Sequence, residues 1–341
     1  MAVGSFLHIS DLHIDSPNDS GQARVAAWAA LPWFDTLLGH SYDSLGNIEA
    51  LFRRLNRKGT TGLIVTGDIT NTGNSSQFAY ATNFMASELI PPLGNFVGLS
   101  RPGWNELAVP GNHDQWSGTS VFGGPPAELW NVYRTCPFAH EPTPLSTGHL
   151  LRFAGINTDS EVWPWGERRI MARGAFLDNL NVLDRMVPAP EANEIRVLLM
   201  HHSATHSGFA RAMTGASRNA LLEFAAKKGF YLMLCGHTHV PRIEPLDLPH
   251  GAPRALHACC GASSKMTTIP LDVTFMGQRP LRERIPNSVL LHRLIEEQGG
   301  LRWSVEVWFE TSHGFRTAYS PSGAFLGSLF YPEGSGLPDG L

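Results

Sequence analysis

The stretch Gly236-His237-Thr238-His239 places two imidazoles two residues apart, directly after the apolar run Tyr231 to Cys235. In extended backbone, residues i and i+2 point the same way, so His237 and His239 are expected to aim at one spot. Such a pair suits a metal ion only if it has partners. The chain offers them at four other places. Asp11 and His13 stand two apart in "SDLH", and Asp68 closes "GLIVTGD". Asn112, His113 and Asp114 follow Gly111 in "GNHD", and His201 and His202 end "RVLLMHH". These donors are carboxylate, imidazole and amide oxygen without thiolate, a set suited to manganese, iron, zinc or cobalt. They are too many for one four-coordinate ion. They suit two divalent ions sharing a carboxylate bridge, about 3.5–4 Å apart. Two ions so held lower the pKa of a bound water to about 7, which supplies a hydroxide nucleophile, and they clamp phosphoryl oxygens.

Each of these clusters follows a segment that reads as a strand. "SFLHIS" is the first and "GLIVTGD" the second, and "NELAVPGNHD" reads as a short strand running into a loop. "HLLRFAGINTDS", "EIRVLLMHHS" and "YLMLCGHTH" follow, and "RALHACCGA", "NSVLLHRLI" and "LRWSVEVWFE" make a strand-rich end. Helical patterns lie between them. In "SLGNIEALFRRLNRKG", Leu45, Ile48, Leu51, Phe52 and Leu55 form one stripe, with Ser44 expected to cap the start and Gly59 the end. "SSQFAYATNFMASEL", "FLDNLNVLDRMV" and "SRNALLEFAAKKG" are the other helices. This alternation predicts an α/β sandwich. Open α/β sheets bind ligands beyond the carboxyl ends of their strands, which is where the polar clusters fall. By the same alternation His8 faces away from Asp11 and reads as a core histidine with its own partners.

Composition narrows the function. The net charge of −4 gives no basic excess for the phosphates of long nucleic acid, so a small substrate fits better. The four cysteines, Cys136, Cys235, Cys259 and Cys260, make neither a disulfide framework nor a zinc knuckle. The start, "MAVGSFLHISDLH", has no signal-peptide pattern, and no run of 18 apolar residues predicts a membrane span. A cytoplasmic location is the expectation. Residues 1–318 read as one domain with inserted, lid-like stretches near 15–43 and 262–286, and 319–341 as a Gly/Pro/Ser-rich tail. The stretch "AAWAALPWF" within 15–43 reads either as a lid or as a face for a second copy of the chain. Trp163 and Trp165 read as a patch under a loop or a pocket lining. Arg168, Arg169, Arg279, Arg282 and Arg284 read as surface charge or as contacts to a second phosphate.

The order D-x-H, G-D, G-N-H-D, H, G-H-x-H resembles the calcineurin-like metallophosphoesterase superfamily over residues 5 to about 243. Its complete G-N-H-D and G-H-x-H blocks resemble the cyclic-nucleotide and glycerophosphodiester phosphodiesterase branch more than the protein phosphatases. The resemblance implies a four-layer αββα sandwich of two mixed sheets flanked by helices, with the metal site at the strand ends. It implies that Asp11, His13 and His239 hold one ion, that Asn112, His201 and His237 hold the other, and that Asp68 bridges them. His113 then acts as general acid on the leaving-group oxygen, and Asp114 orients the backbone or His113. His201 is preferred to its neighbour because relatives generally use the first histidine of such a pair. His202 stays the alternative.

The expected activity is therefore hydrolysis of a small phosphodiester, such as a cyclic nucleotide, by a metal-bridging hydroxide. Alternatives within the superfamily are a phosphomonoesterase, a nucleotide-lipid pyrophosphatase and a nuclease. A scaffold that has lost catalysis, like the superfamily's retromer subunit, fits less well because every expected position is filled.

Overall fold

The structure is a computed structural model, and it describes residues 2–16, 39–87, 96–116, 125–133, 136–161, 172–207, 212–265, 285–317 and 326–339. Most of both lid-like stretches, Trp163, Trp165 and the five arginines named with them lie outside the described residues.

The strands form two mixed sheets. In the first sheet, β1 (Ala2–Ile9) and β2 (Thr61–Val65) run parallel. On the other side of β1, β10 (Ser288–Glu297), β11 (Gly300–Thr311) and β12 (Gly314–Thr317) add on antiparallel. β13 (Leu326–Pro332) comes from the Gly/Pro/Ser-rich end and pairs with the first half of β11. In the second sheet, β5 (Leu150–Gly155), β6 (Glu194–Leu199), β7 (Leu232–Cys235) and β9 (Ala255–Cys259) are parallel. The short β3 (Phe138–Ala139) and β4 (Thr143–Pro144) and the edge strand β8 (Arg242–Leu246) are antiparallel.

Apolar faces explain the layering. β6 and β7 are buried along their whole length, as strands covered on both faces must be. One core lies between the sheets, where Phe6 meets Phe153 and Trp303. A second lies between the first sheet and helices α1 (Tyr42–Asn56) and α2 (Ser75–Ala86). Helix α3 (Ala127–Val132) adds Leu129 to it. Helices α4 (Leu177–Met186) and α5 (Gly215–Lys228) bury Leu180, Leu183, Leu221 and Phe224 on the second sheet. Among the described residues, no helix is long and apolar enough to cross a membrane.

Three local expectations need correction. Ser41, not Ser44, caps α1, and its side chain accepts from the Ser44 N–H. Ser44 lies inside the first turn and donates instead to the buried carboxylate of Glu310 at 2.9 Å. The helix ends at Arg57 rather than Gly59. The strand expected before "GNHD" is reduced to a single bridge, Val65 to Ala108. Residues Trp104–Leu107 coil into a 3-10 turn instead. Pro110 follows closely and has no N–H with which to extend a ladder.

Glu310 also accepts from Asn47 at 2.9 Å and from Asn287 at 2.8 Å, so it ties α1 to β11 and to the chain entering β10. Replacing Glu310 by Ala removes the shared acceptor of Ser44, Asn47 and Asn287. Urea unfolding is expected to show a loss of about 2–3 kcal/mol with little change in slope.

Candidate metal centre

The parallel pairs decide where the polar clusters meet. β1 and β2 end side by side, and so do β6 and β7. Backbone bonds then continue past the strands. Asp11 N–H donates to Gly67 O at 3.0 Å and His13 N–H to Asp68 O at 2.9 Å. Gly236 N–H donates to His201 O at 3.0 Å.

The chain does not stay extended there. Asp11, His13, Asp68, His237 and His239 all have left-handed φ, between 50° and 71°. Each such turn costs a non-glycine residue about 1–2 kcal/mol, and Asp and His tolerate it better than most. Left-handed turns turn the side chains inward at the strand ends. They also split the G-H-x-H pair. His239 joins Asp11 and His13, whereas His237 joins Asp68 and His201. The expectation of one shared spot from extended geometry fails for this reason.

The two carboxylates are arranged alike. Asp11 Oδ2 accepts the His237 N–H at 2.9 Å, and Asp68 Oδ1 accepts the His113 N–H at 2.7 Å. Each thereby pins the next loop by its backbone. The other oxygens, Asp11 Oδ1 and Asp68 Oδ2, are buried and accept no well-formed hydrogen bond among the described residues. Asp11 Oδ1 lies 3.3 Å from His239 Nε2 and 4.0 Å from His13 Nε2. Asp68 Oδ2 lies 3.2 Å from His201 Nε2.

The ring nitrogens face one another as well. His13 Nε2 and His239 Nε2 are 3.2 Å apart, and so are His201 Nε2 and His237 Nδ1. Asn112 Oδ1 lies 3.1 Å from His201 Nε2, and its buried Nδ2 has no partner among the described residues. Acceptors that converge on one another with too few protons between them fit a cation. The donor set therefore suits divalent metal at two adjoining places, with Asp68 between them.

His202 is turned elsewhere. Its Nδ1 lies 2.8 Å from Thr158 Oγ1 and its Nε2 3.2 Å from Ala172 O. His201 Nδ1–H donates to Thr66 O at 2.6 Å, which leaves Nε2 facing Asp68. His113 holds its Nδ1–H on Asn71 O at 2.7 Å, and its ring stacks on Trp116 at 3.9 Å. It also stands within reach of His13 and Asp68. Asp114 makes no bond to that ring. Its oxygens accept from the N–H and hydroxyl of Thr70, from the Gly111 N–H and from Tyr133. It joins the loops after β2 and before His113, and Asn71 aims the imidazole. Sequence reasoning passed over Thr66, Asn71 and Trp116. The first two act through backbone carbonyls, which no residue type announces, and Trp116 had only its place after "GNHD" to mark it.

Glycines at the motif starts are required by approach. A Cβ on Gly236 would stand 1.8 Å from Ser10 Oγ, and one on Gly111 would stand 2.1 Å from Asp68 Oδ1.

Charge follows burial and neighbours. Burial opposes ionisation of Asp11, but contact with His239 outweighs it and holds the carboxyl at about 2. Burial likewise opposes charge on Asp68, and His201 and His113 hold it lower still. Burial pushes His13 and His113 down. Burial and the nearby Asp68 charge push Asp114 up to about 6. His201 is the exception. Burial opposes its charge, yet the Asp68 carboxylate pulls it up to about 10.

A family model described as calcineurin-like phosphoesterase matches residues 4–241. No curated protein matches the chain by sequence. Among solved structures, the chain is similar in fold to "GAP50 the anchor in the inner membrane complex of Plasmodium". The identity is 12%, the TM-score is 0.50, and the match covers 94% of this chain and 91% of that one. So distant a likeness bears on fold alone.

The raised pKa of His201 has a measurable consequence. Above the ordinary histidine value of about 6.5, the folded metal-free protein binds a proton that the unfolded chain does not. The stability from this ion pair is full below that value and is lost as pH rises through about 10. A cation bound at Nε2 must displace the proton. Adding manganese to EDTA-treated protein at pH 7.5 is expected to release about one proton from His201. Titration calorimetry in buffers of different ionisation enthalpy reads it, and His201→Gln should abolish it.

Proposed function

The chain belongs to the calcineurin-like phosphoesterase family, a family of metal-dependent phosphoric ester hydrolases, and from that premise we propose that it is a phosphodiesterase acting on a small phosphodiester with two divalent ions. The carrying observation is the donor set: seven residues from five chain segments converge with their acceptor atoms on two adjoining places. We assign Asp11, His13 and His239 to one ion, Asn112, His201 and His237 to the other, and Asp68 to both. Bound there, the ions supply an activated water at neutral pH and neutralise charge on the phosphoryl oxygens.

The protein's own groups do the rest. The backbone bonds from His237 and His113 fix the carboxylates before substrate arrives. With its Nδ1–H held by Asn71, His113 has Nε2 as the atom that carries and gives a proton. Burial disfavours its charged form, and a phosphoryl anion beside it favours that form. It protonates the departing alkoxide. Asp114 is a positioning residue. The complete G-N-H-D and G-H-x-H blocks support the diester and the cyclic-nucleotide branch, and the net charge of −4 supports a small substrate over long nucleic acid.

The test is hydrolysis of bis-p-nitrophenyl phosphate beside p-nitrophenyl phosphate, with manganese returned to EDTA-treated protein. The diester is expected to be preferred, and activity to vanish without metal. Preference for the monoester would make the protein a phosphatase of the same chemistry. His113→Ala is expected to lower kcat by about 100-fold or more with metal content unchanged. Loss of metal in that variant would overturn the role given to His113.

A further inference from the structure

Four buried side chains cross the first sheet strand by strand and end beside His201. Trp303 Nε1 lies 3.2 Å from His292 Nδ1, and His292 Nε2 lies 3.3 Å from His8 Nδ1. His8 Nε2 lies 2.8 Å from Thr66 Oγ1. All four residues are fully buried. Their neighbours on the inter-sheet face, Phe6, Leu290, Leu294 and Val305, are apolar.

The register makes the chain regular. Trp303 pairs with Leu294, two residues from His292. His8 pairs with Leu290, again two residues from His292. On the other side His8 pairs with Ile64, two residues before Thr66. Each step is therefore the diagonal neighbour on one face of the sheet, within reach of ring side chains.

One residue sets the direction of every bond. An indole N–H can only donate. His292 Nδ1 must accept, so its hydrogen sits on Nε2. His8 Nδ1 accepts that hydrogen in turn, so the hydrogen of His8 also sits on Nε2. His8 then donates to the Thr66 hydroxyl oxygen. Both rings are neutral and each is held in one tautomer. Burial, which pushes His292 down to about 3, agrees with that.

The last residue of the chain is also the anchor of His201. The Thr66 carbonyl accepts His201 Nδ1–H at 2.6 Å and Ser10 Oγ–H at 3.1 Å. We propose that Trp303, His292 and His8 are positioning residues for the metal ligand His201. They fix the side chain of Thr66, which fixes its peptide, and the carbonyl of that peptide aims the imidazole. A proximal carbonyl that holds one nitrogen of a metal-bound histidine sets the tautomer and the lone-pair direction of the other. Here the hold extends across β11, β10 and β1 to the residue that follows β2. This inference rests on the reading of His201 as a ligand.

The experiment separates the two. Cobalt titration of EDTA-treated protein, followed by visible absorption and calorimetry, reads the two ions. His201→Ala is expected to lose one ion, and retention of both would sink the ligand reading itself. Trp303→Phe keeps a ring and removes the donor, and Thr66→Val keeps the shape and removes the hydroxyl. Both are expected to weaken that same ion by about 10- to 100-fold, with the Asp11–His13–His239 ion within about twofold. A merely structural role would lower the melting temperature and leave the ratio of the two affinities alone, which would overturn the proposal. Nitrogen-15 NMR of the unsubstituted, metal-free protein gives a readout independent of how the variants fold. Both His8 and His292 should be protonated on Nε2 alone, and a hydrogen on Nδ1 of either ring would also overturn it.

Discussion

Two carboxylates that cannot reach water organise this molecule. Asp11 and Asp68 are buried at the ends of adjacent parallel strands, and each spends one oxygen on the backbone N–H of a loop from elsewhere in the chain. Those bonds bring His237 and His113 into place. The remaining oxygens lie among imidazoles, and the imidazolium form of His201 is the cation they favour in the metal-free protein. A buried charge without a partner is expensive, so strand ends, loops and glycines are arranged to put positive charge here. Divalent metal meets the same demand more completely.

Local cost is accepted to reach that arrangement. Five of the seven residues assigned to metal sit in left-handed backbone, and Gly111 and Gly236 let loops approach closer than any Cβ allows. The turns at His237 and His239 follow β7, which is buried along its whole length and hydrogen-bonded on both sides, by β6 and β9. Only a rigid body beneath the site keeps such turns from relaxing. The second sheet supplies it through β6 and β7. The first supplies it through β1, whose neighbours include β10 from the far end of the chain.

The site also reaches further than its motifs. Asp114 lies within "GNHD" yet works on backbone and Tyr133, whereas Asn71, outside any motif, holds His113. The histidines of the chain fall into several populations, among them exposed ones such as His250 and His313. Some imidazoles face the strand-end site, and others, such as His8 and His292, lie in the inter-sheet core with fixed partners. The Gly/Pro/Ser-rich end holds the strand β13, which pairs with β11, and its Tyr331 is fully buried. Composition reports average solvation, and a short strand of alternating burial is averaged away.

Residue type and order by themselves determined the chemistry. Carboxylate, imidazole and amide donors placed after apolar runs specify an oxygen–nitrogen metal set at strand ends, because strands end where apolar patterning stops. The choice of His201 needed more than its type, since an adjacent His202 has the same donors. Side-chain direction at that strand end settles where each ring points, with His202 on Thr158 and His201 on Thr66 and Asp68. Spacing alone put His237 and His239 on one spot; their split, which the family resemblance implies, is made by backbone torsions that depend on contacts with Ser10 and Asp11 over two hundred residues away. The partner of a buried polar group is set by what folding brings beside it, and spacing along the chain does not carry that information.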